Sequence, residues 1–153
     1  MATPRVESIA LDIVAALDAI TTGNSFEQTL SAVRRARIDW QDETPENGKV
    51  LVSQEDDETD TETQNIATDL TQRFELGALV LKSKNDATEL DTLRNKVKCD
   101  IWKKLMTDRT RGGYAFNTII TGATNLEEGD LVGITVHVEV KYRISTTNPY
   151  AKG

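Results

Sequence analysis

Four places in this sequence hold side chains that could do chemistry. The first is His137, the only histidine. It stands two residues from Glu139, and in an extended segment such residues share a face, so the pair could shuttle a proton. The same alternation makes His137 a solvated residue on a strand's polar side, which is the reading the sequence favours. A zinc site needs three or four His, Cys or carboxylate ligands, and no second histidine exists. The second place is Cys99, the only cysteine, which excludes an intramolecular disulfide and fits a reducing compartment. A reactive thiol needs a base or a helix start to depress its pKa. Cys99 falls in the middle of a helical pattern, two residues from Val97 and Ile101, and reads as a packed or half-exposed thiol.

The third place is the acidic run EDDETDTETQN, residues 55–65. Asp56, Glu58, Asp60 and Glu62 alternate as the first ligands of a calcium loop do. The sixth loop position is Thr61 rather than Gly, and the twelfth is Ala67 rather than Glu, so the tight turn and the bidentate ligand are both missing. The run is predicted to be a solvated acidic loop. The fourth place is arginine-rich. RTRGGYA offers Arg109, Arg111, Gly112 and Gly113 to a phosphate, but no Lys-Ser or Lys-Thr follows at the spacing a phosphate loop needs; it reads as the turn that ends a helix. VRRAR, with Arg34, Arg35 and Arg37, is the densest positive cluster. It suits a partner-facing strand, a local nucleic-acid contact or an ordinary charged strand surface. No nucleophile–base pair, ligand set or phosphate cradle emerges, so the chain is expected to be no enzyme and to take no cofactor and no metal.

The elements that must position these residues follow from periodicity. Thr3 and Pro4 read as an N-cap and a first helical position. Val6, Ile9, Ala10, Ile13, Val14, Leu17 and Ile20 then recur at three and four, a helix with one buried stripe that Gly23 closes. Residues 26–40 put Phe26, Leu30, Ala32, Ala36, Ile38 and Trp40 on one parity, as in a strand, with Arg34 on the apolar side hinting at a bulge or an exposed end. A short strand is expected at 49–54, and a long one at 66–83, broken near Gly77. Asp86 and Glu89 form a capping-box pattern for a second helix, in which Leu90, Leu93, Val97, Ile101, Trp102 and Leu105 follow at helical spacing to about Asp108. A strand around 115–121, the turn NLEEGD and a last strand from Leu131 make a C-terminal hairpin over 115–145. In that last strand Ile134, Val136, Val138, Val140, Tyr142 and Ile144 alternate with polar residues over about 14 positions, far beyond the usual roughly five or six. The order α-β-β-β-α-β-β, with short connections that favour antiparallel pairs, predicts an α+β fold. It is a two-layer sandwich, with a mainly antiparallel sheet and both helices packed on one face. Residues 1–153 form one domain.

Composition narrows the partners. The hydrophobic share is 38%, aromatics are 5%, and 18 basic against 25 acidic residues give a net charge of −7. Few aromatics argue against a base-stacking platform, and an acidic surface repels nucleic acid and anionic lipid. The first residues carry Glu7, Asp12 and Asp18 inside their apolar stretch, unlike a signal peptide. No segment approaches the roughly 18 apolar residues of a membrane span. No membrane partner is expected, and the chain is expected to be made and used in cytoplasm.

Several stretches taken together are familiar. IALDIVAALDAI opens the chain, a segment ending in arginines follows, and VLVSQED leads into the acidic run. A long strand then precedes DATELDTLRNKVKCDIWKKL, and VHVEVKYRISTTNPY closes the chain. This order and ending resemble the tail terminator (tail completion) proteins of long-tailed bacteriophages, the group that includes the lambda minor tail protein U. The likeness spans nearly the whole chain, and YR followed by NPY is its most suggestive part. It implies a structural virion protein that forms a hexameric ring on the head-proximal end of the tail tube. The ring stops tube polymerisation and offers the surface for head joining. Its partners are then copies of itself, the tail tube protein and the head connector, and DNA passes through without specific binding. Such a protein is assembled in the host cytoplasm. The competing readings are a head–tail joining (neck) protein of the same particle, a small host ligand-binding or regulatory domain, and a hydrolase or nuclease using the acid run. The interface candidates are Arg34, Arg35, Arg37, Tyr142, Arg143, Pro149 and Tyr150. Val132 to Val138 are expected to close the subunit's sheet, while Val140 to Ile144 and the tail through Tyr150 project towards a neighbour.

Overall fold

The computed structural model describes residues 2–63, 66–81, 90–128 and 131–151. Two helices cover one face of a five-stranded sheet, the predicted α+β two-layer arrangement. The elements are α1 (Arg5–Asp18), β1 (Ser31–Arg35), β2 (Lys49–Thr63), β3 (Ala67–Leu81), α2 (Leu90–Thr107), β4 (Asn117–Glu128) and β5 (Leu131–Ser145). The spatial order is β1-β2-β3-β5-β4. β5 runs antiparallel to β3 over its full length, from Ala67↔Ser145 to Leu81↔Leu131, and antiparallel to β4 on its other side.

The apolar stripe of α1 behaves as its spacing demands: Ile9, Ala10, Ile13 and Leu17 are buried against the sheet. Pro4 takes the cap position and no side chain caps the helix, so the expected Thr3 cap is not made. The helix also ends earlier than expected. Gly23 lies inside a short 3-10 turn (Thr22–Asn24), and the left-handed residue after it is Ser25. α2 buries Leu90, Val97, Ile101 and Leu105, but Trp102 is 48% exposed on its outer side. The Asp86–Glu89 capping box lies outside the described residues, as do residues 82–83 of the expected strand and 129–130 of the expected NLEEGD turn.

Three expectations fail for identifiable reasons. The strand over 26–40 is only Ser31–Arg35, and it pairs with β2 in parallel. A parallel pair needs a crossover of about a dozen residues, and 36–48 supply it. They cross the sheet face opposite the helices, where Trp40 is buried with Leu51 and Leu79, and Ile38 packs beside them. Gly48 ends this crossover at φ +82, where a Cβ would stand 2.3 Å from the Thr29 carbonyl oxygen.

The acidic loop over 55–65 is largely a strand: β2 continues to Thr63, paired with β3 except at register shifts between Gln54 and Asp57 and between Thr59 and Thr61. Carboxylates disfavour strands, but here β3 and β5 supply their counterparts. Arg73 Nη2 meets Glu58 at 3.2 Å, Lys141 Nζ lies 3.7 Å from Asp60, and Thr71 Oγ1 donates to Asp60 at 2.6 Å. The ladder shifts register between Gln54 and Asp57, and the buried Gln72 amide donates to the Glu55 carbonyl there (2.6 Å).

The strand expected at 115–121 likewise runs on to Glu128. Threonines and isoleucines favour extension, and β5 offers pairing partners from Lys141 down to Leu131.

Candidate interaction surfaces

The seven residues singled out as contacts fall into three groups. Arg34, Arg35 and Arg37 sit on and just after β1. Arg34 lies at the edge of the helix-covered face and pairs with Glu7 of α1. Arg35 Nε donates to Glu43 Oε2 at 2.9 Å, and the same carboxylate holds Lys49 at 3.3 Å. That hydrogen bond holds the Glu43 carboxyl below the usual carboxylate range. Arg37 is the open one: its side chain is 82% exposed and its nearest carboxylate, on Asp39, is 3.9 Å away.

Tyr142 does not lie on the surface. It is buried in the helix-side core at 4% exposure, and burial raises its phenol to about 12. Val140 is fully buried as well. The outer part of β5 therefore does not project. The segment after α2 folds back over it, with Phe116 N donating to the Lys141 carbonyl at 2.9 Å and Ala115 packing against the core. Arg143 is exposed on the opposite face and holds Asp69 through two bonds, of 2.6 and 3.1 Å.

Pro149 and Tyr150 lie past the end of β5 in a closed turn: Ser145 N donates to Ala151 O, and Thr146 N to Ile66 O. These bonds hold the tail beside the start of β3. Tyr150 is 49% exposed there and Ile66 is exposed; Tyr114 and Phe116 are exposed just before β4. Arg5 reaches that segment from α1, donating to the Gly113 and Tyr114 carbonyls and lying 5.6 Å over the Tyr114 ring. Of these apolar residues only Tyr150 is among the sequence's interface candidates, from its place in the C-terminal tail.

The residues that could do chemistry are placed as follows. His137 does not pair with Glu139. Its Nδ1 lies 3.5 Å from Glu75, its partner across β3, and its Nε2 lies 2.8 Å from Thr124 Oγ1. Glu139 meets Arg73 at 3.3 Å. Cys99 is exposed on α2. RTRGGYA ends α2, as expected. Arg111 adopts φ 51, is 1% exposed, and donates to the Leu105 and Asp108 carbonyls at the helix terminus. Its Nη1 lies 3.3 Å from Asp12 on α1. Burial lowers the Arg111 pKa and raises that of Asp12. Asp108 accepts from Thr110 N, Thr110 Oγ1 and Gly112 N, and these bonds hold its carboxyl below the ordinary range.

Two more charged residues on α2 are buried, and the periodicity gave no sign of them. Arg94 Nε donates to the Gly133 carbonyl (3.1 Å), and its Nη2 reaches Leu126 O and Glu127. Asp100 accepts the backbone N–H groups of Glu27 and Gln28 at 3.3 and 2.8 Å. Arg94, Asp100 and Arg111 thus clamp α2 to the hairpin, to the loop before β1 and to α1.

Beyond Ser53 the outer edge of β2 has no partner strand among the described residues, because β1 covers only Lys49 to Ser53. Residues 54–60 of that edge are exposed. An open hollow of about 560 Å³ lies at its bulge, lined by Gln54, Glu55, Asp56, Asp57, Glu58, Gln72 and Arg73. The outer edge of β4 is also unpaired among the described residues. No protein-family model and no curated protein matches this chain.

Proposed function

We propose that this chain is a structural, non-enzymatic virion protein that caps the head-proximal end of a phage tail tube as a ring. In that role it ends tube polymerisation and presents the surface for head joining. The resemblance of the sequence to tail terminators suggests the role. The observation that best supports it is the end of the sheet where β3 begins and β5 finishes. Ile66 and Tyr150 are exposed there, with Phe116 and Tyr114 exposed across β5 near Lys141, and exposed apolar side chains gathered at one end suit a protein contact. The tail around Pro149 and Tyr150 is pinned by backbone hydrogen bonds, so the contact is preorganised and loses little entropy on docking.

A net charge of −7 fits a ring through which DNA slides rather than sticks. The number of subunits, six, comes from the resemblance alone. The test is negative-stain microscopy of the purified chain, alone and mixed with tail tubes or with head connectors. Rings that decorate one end of the tubes are expected. Rings that bind the connector and ignore the tube would make it a neck protein, and a monomer that binds neither would overturn the reading. Tyr150→Ala should leave the fold intact and weaken tube capping.

A further inference from the structure

The free edges of this sheet are built in opposite ways. β1's outer edge is already occupied by its own chain: Asp18 Oδ1 accepts from Ala32 N at 2.7 Å, and Arg34 pairs with Glu7. The edge of β2 from 54 to 63 carries Glu55, Asp56, Asp57, Glu58, Asp60 and Glu62. Such a run of like charges prevents the edge from pairing with a copy of itself. The edge of β4 is guarded by no charge, only by a register shift between Ile120 and Gly122 and by Arg94 at the Leu126 carbonyl. Residues 117–126, NTIITGATNL, contain no Asp, Glu, Lys, Arg or Pro, and Thr118, Ile119, Ile120, Thr121 and Thr124 are β-branched, as strands prefer. Thr121, Ala123, Thr124 and Asn125 are exposed. A neutral, β-branched edge is a template for another strand.

Resting on the ring reading above, we infer that β4 of one copy pairs with the free acidic edge of β2 (residues 54–63) in the next copy. Two edges of one chain that differ in this way make a head-to-tail joint. The acidic edge rejects itself, the neutral edge accepts it without charge repulsion, and only this pairing leaves neither edge open. A contact between two different patches repeats around a rotation axis and closes into a ring, with main-chain hydrogen bonds supplying the joint as in strand addition. Pairing of β4 with β4 would instead give a two-fold dimer and leave the acidic edges bare.

The sign of one added charge separates these cases. Ala123 is exposed and central on β4. Except where Thr61 or Thr63 would face it, every register over this edge puts a β2 carboxylate directly or diagonally opposite position 123. Ala123→Glu should weaken assembly on the order of tenfold or more, since like charges across an interface cost several kcal/mol. Ala123→Lys should assemble as well as the parent or better. Sedimentation velocity at low salt reads both, with circular dichroism confirming equal folding. In a Cys99→Ser background, Ala123→Cys together with Thr59→Cys should give covalent multimers larger than dimers on oxidation, and Ala123→Cys alone should not cross-link. The joint is overturned if the Glu and Lys variants assemble alike, or if Ala123→Cys alone gives dimers. If rings persist unchanged in both charge variants, the ring reading stands and this joint falls. If the parent chain forms no assembly at all, both fall.

Discussion

The two faces of the sheet use the same strands and are completed by different means. On the helix side, Val50, Val52, Phe74, Leu76, Val136, Val138, Val140 and Tyr142 join the stripes of α1 and α2 in one continuous core. On the other side there are two zones. Near Trp40 the crossover covers a small cluster with Leu51 and Leu79. Along the rest, polar side chains face each other across strands: Glu75 beside His137, and the ion pairs of Arg73 with Glu58 and Glu139, Lys141 with Asp60 and Arg143 with Asp69. The first face is held by apolar area removed from water, about 25 cal/mol per Å². Pairs on the second stay hydrated, and such pairs add little each. Stability therefore belongs to the helix face, while the charged face is free to be written by function.

Truncation on the two faces gives the largest contrast. Phe74, at 1% exposure, lies in the middle of the helix-side core. Phe74→Ala should cost about 3–5 kcal/mol by urea unfolding, the usual range for such a cavity. Trp40, at 3% exposure, fills only the small opposite cluster, and its Nε1 finds no hydrogen-bond partner among the described residues. Trp40→Phe removes that unsatisfied donor along with some volume, so the two effects offset each other and the net change should stay within about 1 kcal/mol. A cost for Trp40→Phe equal to that of Phe74→Ala would mean that the crossover side carries as much of the fold as the helix side.

How far the sequence was legible follows the same division. The stripe of α1 and the alternation of β5 were plain because one apolar side faces one wet side in each. Alternation assigned Tyr142 to the correct face but could not say how far along the strand the cover reaches. That depends on the segment 113–116 folding back, a tertiary event with no local signal. The acidic strand was hidden because its own residues argue for a loop, while the reason it is extended lies on β3 and β5. Nothing marked Arg94 and Asp100 within α2, or Arg111 in the turn after it, as buried, since burial of a charge depends on partners distant in sequence. The parallel β1–β2 pair was missed because periodicity reports faces and not neighbours. Among the contact candidates, Tyr150 and Arg37 lie exposed, Arg143 is bound to Asp69, and Tyr142 belongs to the core.

Titration sharpens the comparison on the helix side. Burial raises the Tyr142 phenol to about 12, with Asp57 adding to the effect. In the unfolded chain a tyrosine ionises near 10. The folded state thus keeps its proton longer. The stability linked to this group is whole below about pH 10 and is lost as pH rises through about 12. The difference in phenolate absorbance between the chain and its Tyr142→Phe variant should show a midpoint near 12, or appear only with unfolding. A midpoint near 10 would place Tyr142 in water and restore it as a surface contact.

The smallest expected effect lies on the charged face and has the opposite sign in pH. The hydrogen bond from Arg143, with its nearby charge, holds the Asp69 carboxyl below its ordinary value despite some desolvation. A depressed carboxylate pKa means that the unfolded chain takes up the proton first. The pair's contribution is therefore present above about pH 3.9, the ordinary aspartate value, and fades as pH falls through the lower folded-state value. Arg143 is 45% exposed, so water and salt screen the pair and only a small difference should survive. Asp69→Asn should lower the unfolding midpoint slightly at neutral pH, less at high salt, and not at all once acid has protonated the parent carboxyl. Ring formation, if the charged face is not the joint, should be unmoved by the same substitution. A loss of assembly without loss of stability would show that Arg143 serves a neighbour better than it serves its own sheet, and would return it to the interface where its place near the chain's end first suggested it.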